Sequence, residues 1–208
     1  MAGAQISLRV GVLVVAMAMT LGAAIGTLAG YYGGWADTVL MRIMDVLLSL
    51  PGILLAIVIV SVIGPGLRNA MIAVAVVSVP VYARVMRAEV LRVKEQPFVL
   101  AARALGATDW RILRQAVLPN CLAPMVVQAT LGMGTAILET AGLSYLGLGD
   151  EPRVPEWGRM IADQFRYIRQ AWWTVLPPLV AISAVVLGFN LLGDGLRDLL
   201  DPRLKRQR

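Results

Sequence analysis

Charged residues are sparse along this chain and fall in clusters. Between the clusters lie long uncharged runs, Val10 to Ala36, Val46 to Leu67, Asn69 to Ala83, Gln115 to Leu138 and Gln170 to Gly193. About 20 residues of helix cross the hydrocarbon core of a bilayer, so the pattern predicts five transmembrane helices near residues 7–30, 40–63, 70–92, 120–142 and 172–194. The third run is short. That span must carry Arg84 and Arg87 near its end, snorkelling to the interface or facing protein, and Pro80 predicts a kink within it.

Spacing inside the first two spans adds detail. Gly22, Gly26 and Gly30 recur every fourth residue, a small-residue stripe that lets another backbone approach closely and predicts a central place in the bundle; the alternative is that they merely accompany an abundant glycine content, 20 of 208 residues. Tyr31 to Trp35 read as an interfacial turn with aromatic anchors, after which Asp37 is expected to cap the second helix. Arg42 and Asp45, three apart on that helix, are expected to pair, and Pro51-Gly52 breaks its regularity as either a hinge or a static kink.

One polar, basic stretch is helical without being able to span a membrane: PFVLAARALGATDWRILRQAVLPN, Pro97 to Asn120. Phe98, Ala101, Ala102 and Leu105 share one face of a short helix that Gly106 ends. Thr108 and Asp109 are candidate N-caps for a second helix carrying Trp110, Ile112, Leu113 and Val117, and Pro119 is expected to stop it. The product is a helix-turn-helix elbow over residues 97–119, able either to lie along the bilayer surface or to offer a protruding knuckle to a partner.

Composition removes the alternative of a soluble fold. Hydrophobic residues make up 58% and charged residues 15%, with a mean hydropathy of +0.73, which identifies an integral membrane protein. The net charge of +6 is therefore read by position and not as a sign of nucleic acid. The lone Cys121 cannot form an internal disulfide and is expected to pack, and the lack of any His excludes His-based metal or catalytic sites. No targeting peptide is evident, since the first apolar run is too long for a signal-peptide core.

Basic residues set the expected orientation. Residues 84 to 118 hold seven Lys or Arg against three acids, and the tail from Arg197 holds five (Arg197, Arg203, Lys205, Arg206, Arg208) against two, so both are expected in the cytoplasm. Residues 149 to 171 are balanced, four Arg against Asp150, Glu151, Glu156 and Asp163, and fall outside. This segment is rich in Pro152, Pro155, Trp157, Phe165 and Tyr167, followed by Trp172 and Trp173; Trp157 to Tyr167 can form a short amphipathic helix at the outer interface, as an aromatic belt or as a docking surface for a binding protein. Counting back, Met1 lies outside.

The elbow resembles the EAA loop of ABC-importer permeases: Glu-Ala-Ala, three residues, Gly, nine residues, then Ile-x-Leu-Pro. Ala101, Ala102, Gly106, Leu118 and Pro119 match, whereas Leu100 replaces the Glu and Ala116 the Ile. Three further stretches, AGYYGGWADTVLMRIMDVLLSLPGILLAI, GLSYLGLGDEPRVPEWGRMI and FNLLGDGLRDLLDPRLK, closely resemble the C-type permease subunit of dipeptide, oligopeptide and nickel ABC importers. The resemblance implies an all-α membrane protein, the five-helix core of a type I ABC-importer permease, in one transmembrane domain over residues 1–208. It further implies a multi-pass protein of the bacterial inner membrane with a cytoplasmic C-terminus. Its implied partners are a second permease subunit, two ATP-binding cassette subunits and an extracytoplasmic substrate-binding protein, with no nucleic acid and no cofactor. The elbow would dock on the ATPase through Ala101, Ala102, Gly106, Ala107, Asp109, Leu118 and Pro119. In that family an extra helix and an extracytoplasmic segment precede the point where this chain starts, so a longer product with one more N-terminal span is expected.

The chain carries no Walker A loop, nucleophile elbow or metal-spaced Cys/His cluster, so it is not expected to hydrolyse ATP. The implied work is mechanical, a switch between outward- and inward-facing packings that its partners must bias by on the order of 5 kcal/mol. Glu139 is the notable intramembrane acid, because a charge facing lipid costs roughly 2.5 to 3.5 kcal/mol; it faces a partner, an aqueous path or the outer headgroups. A secondary transporter is disfavoured by the absence of a clear inverted repeat or paired intramembrane acids. A non-transporting membrane anchor is the other alternative. Peptides, glutathione-like molecules and nickel complexes all stand open as substrates.

Overall fold

The computed structural model describes residues 2–149 and 154–200. Asp150 to Arg153, Met1 and the tail from Asp201, including Arg203, Lys205, Arg206 and Arg208, lie outside the described residues. All regular structure among the described residues is helical: α1 (Ala2–Tyr32), α2 (Gly34–Leu48), α3 (Gly52–Ile63), α4 (Leu67–Lys94), α5 (Pro97–Ala104), α6 (Asp109–Ile112), α7 (Leu118–Tyr145), α8 (Trp157–Phe165), α9 (Ile168–Ala171) and α10 (Leu176–Leu200). Four helical stretches are long and apolar enough to cross a membrane, α1, α4, the continuous Asp109–Tyr145 rod and α10, and the bent α2–α3 pair supplies a fifth.

The core sits where α1, α4 and α7 meet, around Val14, Val74, Val90, Val117, Met125 and Leu143. The glycine stripe is what lets α1 lie against α4. A Cβ on Gly22 would fall 2.5 Å from Tyr82 Cβ and 2.9 Å from the Val79 carbonyl oxygen; one on Gly26 would run into the Ala83 carbonyl; one on Gly30 would sit 3.0 Å from the Arg87 carbonyl. Backbone meets backbone over two helical turns, so no side chain can yield to make room. Gly11, also on α1, makes room instead for a side chain of α7, where a Cβ would lie 2.7 Å from Ile137 Cγ1. On its far side α7 meets α10 through Gly134 against Val186 and Gly193 against Leu131.

The structure departs from the sequence expectations at several places. Residues 40–63 do not form one continuous helix: α2 and α3 are bent by 93° at the break between them. Pro51 has no N–H to continue α2, disfavours helical backbone at Leu50, and instead becomes the N-cap of α3 with φ −55° and ψ 125°. Asp37 is not a cap. Gly33 takes the cap position of α2, and Asp37, in its first turn, accepts from Arg87 Nε and Nη2 at 2.5 and 2.6 Å. Asp45 pairs across to Arg84 at 2.7 Å instead of with Arg42. The two Arg that the short third run forced into the membrane boundary thus tie α4 to α2, two acids eight residues apart meeting two cations three apart. Pro80 lies inside α4, which runs on as one helix. The last span begins at Leu176, not at 172, because Trp172–Thr174 form a short 3₁₀ turn before Pro177 and Pro178 enter the first turn of α10.

The helix expected over 157–167 is α8, but its first turn is not lying free on a surface. Glu156 is buried and caps α8 by accepting from the Arg159 N–H at 3.2 Å. Buried Trp157 donates its backbone N–H to Ser7 Oγ of α1 at 3.3 Å, and Gly158 rests on the backbone of Ala141.

Candidate functional site

The elbow begins where Pro97 occupies the first turn of α5, a position that costs it no hydrogen bond. α5 ends in a Schellman motif: the Ala107 N–H reaches the Ala102 carbonyl at 3.1 Å and the Gly106 N–H the Arg103 carbonyl at 3.0 Å. That motif demands a left-handed residue at Gly106, whose φ is +81°. The spacing from the alanine pair to Gly106 is thus the spacing of a helix and its terminating turn.

Thr108 takes the N-cap of α6, without a side-chain bond to the backbone. Asp109, exposed on the elbow, accepts from the Tyr31 hydroxyl at 2.6 Å. Beside it Lys94 donates to the Gly30 carbonyl at 2.8 Å. The end of α4 just before the elbow and the first residue of the elbow's second helix are therefore both moored to the last turn of the glycine-striped α1.

The expectation that Pro119 stops the second elbow helix is corrected. α6 passes through a π-helical turn, Leu113–Val117, in which the Leu118 N–H bonds to the Leu113 carbonyl, and α7 follows with Pro119 in its first turn. The wider turn absorbs the bond that proline cannot donate. Asp109–Tyr145 is consequently one rod of 37 residues, about 55 Å long at 1.5 Å per residue.

The buried face of the elbow also differs from the one expected. Val99, Ile112, Leu113 and Val117 are buried, with Ala102, Ala107 and Leu118 packed at their edge. Phe98, Ala101, Leu105 and Trp110 point outward, Leu105 88% and Trp110 69% exposed, and Leu100, at the position of the family's Glu, stands among them. Arg103, Arg111 and Arg114 are exposed around this apolar knuckle, and a cleft of about 390 Å³ opens between Ala102, Leu105, Gly106, Ala107, Arg111 and Gln115. Of the expected coupling residues, Ala101, Ala102, Gly106 and Ala107 come together here. Asp109 serves the elbow's mooring, and Leu118 and Pro119 lie at the root of α7. Sequence reasoning missed Tyr31 and Lys94 as partners; the basic and aromatic residues were visible, but nothing local fixed what they reach.

Glu139 lies half-buried on α7, its Oε1 3.9 Å from where a Cβ on Gly52 would be, beside the bend between α2 and α3. No ion pair to it is present among the described residues.

These features have counterparts in known proteins. Residues 22–206 match the family described as "Binding-protein-dependent transport system inner membrane component". The chain is 52% identical to the dipeptide transport system permease protein DppC of Alkalihalophilus pseudofirmus over 203 residues, covering 98% of this chain and 67% of that protein. It is 46% identical to the glutathione transport system permease protein GsiD of Pectobacterium atrosepticum, again with 98% and 67% covered. The fold is shared with a chain of the MetNI methionine ABC transporter in an inward-facing conformation, at a TM-score of 0.76 and 23% identity over 96% of this chain and 95% of that one. With a helical fold of apolar spans, an EAA-like elbow and close relatives over nearly its whole length, the chain belongs to the family of binding-protein-dependent transport system inner membrane components, the permease subunits of ABC importers.

Proposed function

We propose that this permease carries di- or oligopeptides inward, pairing with a second, different permease subunit, and that the 97–119 elbow docks on a cytoplasmic ATP-binding cassette subunit. The complex would hold two such ATPases and receive substrate from an extracytoplasmic binding protein. Its elbow and C-terminus would face the cytoplasm, and the segment containing Arg153 the outside. The single observation that most supports the substrate class is the 52% identity to a dipeptide permease. The elbow geometry supports the docking role: an exposed apolar knuckle ringed by Arg is moored at its base and continuous with a membrane-length rod, so a push on the knuckle moves α7 as a unit. Coupling residues in this reading are Ala101, Ala102, Gly106 and Ala107 at the contact, Asp109 as mooring, and Leu118 and Pro119 at the root of α7.

Uptake of a labelled dipeptide into proteoliposomes holding the whole complex and its binding protein is the test. ATP-dependent accumulation is expected; uptake driven by an ion gradient would place the protein among secondary transporters, and no flux would leave a membrane anchor. A glutathione-like substrate is the second reading, favoured by the 46% identical glutathione permease. Competition between the dipeptide and glutathione in the same vesicles separates the two.

A further inference from the structure

Polar side chains in the middle of α7 fall on one face. Gln128, Gly132, Thr135 and Glu139 are spaced four, three and four residues apart, which at 3.6 residues per turn holds them within a sector of about 60° over about 16 Å of helix. Opposite them, Ser78 and Tyr82 of α4 join Gln128, Gly132 and Thr135 in lining a cavity of about 110 Å³, whose remaining wall is apolar, made by valines of α1 and α4 and by Ala136. Gly132 is small for a reason, since the Tyr82 hydroxyl occupies the place a Cβ would take.

These groups are polar and, Ser78 apart, unspent. Ser78 of the cavity donates to the carbonyl four residues back, as do Thr20, Ser61, Thr130 and Thr140 elsewhere in the spans, at 2.7 to 2.9 Å. Among the described residues, Tyr82, Gln128, Thr135 and Glu139 have no such hydrogen bond and no ion pair. Thr135 is exposed, and Gln128 and Glu139 are half-exposed. Unpartnered polar groups are disfavoured against hydrocarbon, so a face that gathers three of them, with the Tyr82 hydroxyl opposite, is built for water and a polar ligand.

We propose that this face of α7, with Ser78 and Tyr82 of α4, is the surface along which the permease handles a peptide that carries a free α-ammonium. Glu139 supplies the one formal charge of the face and takes the ammonium. Gln128, Thr135 and Tyr82 offer the neutral donors and acceptors that peptide amides need. The site lies beside the 93° bend of α2 and α3, so a rearrangement of that bend changes access to Glu139. This assignment rests on the importer reading above.

Thr135→Cys in the complete transporter tests it, because the native Cys121 is buried and does not compete for reagent. Small water-soluble thiosulfonates are expected to label Cys at 135, the cationic reagent at least fivefold faster than the anionic one, and Glu139→Gln is expected to abolish that preference. Glu139→Gln is also expected to slow dipeptide uptake about tenfold while ATP hydrolysis continues. A thiol inert to aqueous reagents in the assembled transporter, as it would be against lipid or the second subunit, overturns the proposal, and so does a charge preference that survives Glu139→Gln. Failure of the importer reading shows separately, as a lack of ATP-driven uptake by the unsubstituted complex.

Discussion

The Tyr31 hydroxyl donates to the Asp109 carboxylate at 2.6 Å, linking the last turn of α1 to the first residue of the rod that becomes α7, across 78 positions of sequence. α1 lies against α4 in close contact at its glycines, so this bond ties the elbow to a tightly packed helix pair. A hydrogen bond of this kind contributes about 1 kcal/mol. Tyr31→Phe is therefore expected to leave the assembled complex intact and to lower the peptide taken up per ATP hydrolysed by several-fold. An unchanged ratio would mean that the mooring carries no coupling.

Gly26→Ala is expected to lower the melting temperature of the detergent-purified complex, because the new Cβ would run into the Ala83 carbonyl, Met86 Cβ and the Arg87 backbone nitrogen, and overpacking costs about 1 to 3 kcal/mol. Gly188→Ala on α10 is the internal comparison: nothing lies within 4 Å of a Cβ there, and helix propensity makes the change neutral or stabilising by up to about 1 kcal/mol. Equal melting temperatures for the two variants would contradict the close α1–α4 contact.

At Gly106 the backbone is left-handed, φ +81°, and the surroundings are open. Gly106→Trp is expected to insert and assemble yet lose transport, since a large side chain on the knuckle blocks its groove and the backbone there resists a Cβ at about 1 to 2 kcal/mol. Gly106→Asn, which tolerates that conformation, is expected to retain more activity than Gly106→Trp. Transport at the unsubstituted rate by the Trp variant would make the elbow a mere surface connector.

Leu105→Cys, at the most exposed apolar position of the elbow, is expected to react with a membrane-impermeant reagent only from the cytoplasmic side, and Arg153→Cys only from the opposite side. The charge excess of residues 84–118 is the basis. Labelling of both from one side of sealed vesicles would refute the orientation.

The apolar runs, the four-residue glycine period and the turn at Gly106 were legible in the sequence because each expresses a local rule: an uncharged length sets a span, a helical period sets a face, and a Schellman turn favours glycine. Which helix received the glycine stripe was not legible, since a stripe specifies close approach without naming its partner; α4 was decided by how α1, α4 and α7 fill one core. The same limit explains the charges. Asp37 and Asp45 each had a plausible local role, a cap and an i,i+3 pair, but the folded chain brings Arg87 and Arg84 to them from 50 and 39 residues away. In the elbow, periodicity put Phe98, Ala101, Ala102 and Leu105 on one apolar face, and the fold turned all of it outward except half-buried Ala102, burying Val99 instead. Pro51 and Pro119 mark the limit most plainly: both lack the same N–H, yet one lies at a 93° break and the other is carried through by a π turn, because the packing around each residue, and not its chemistry alone, decided whether the chain could bend.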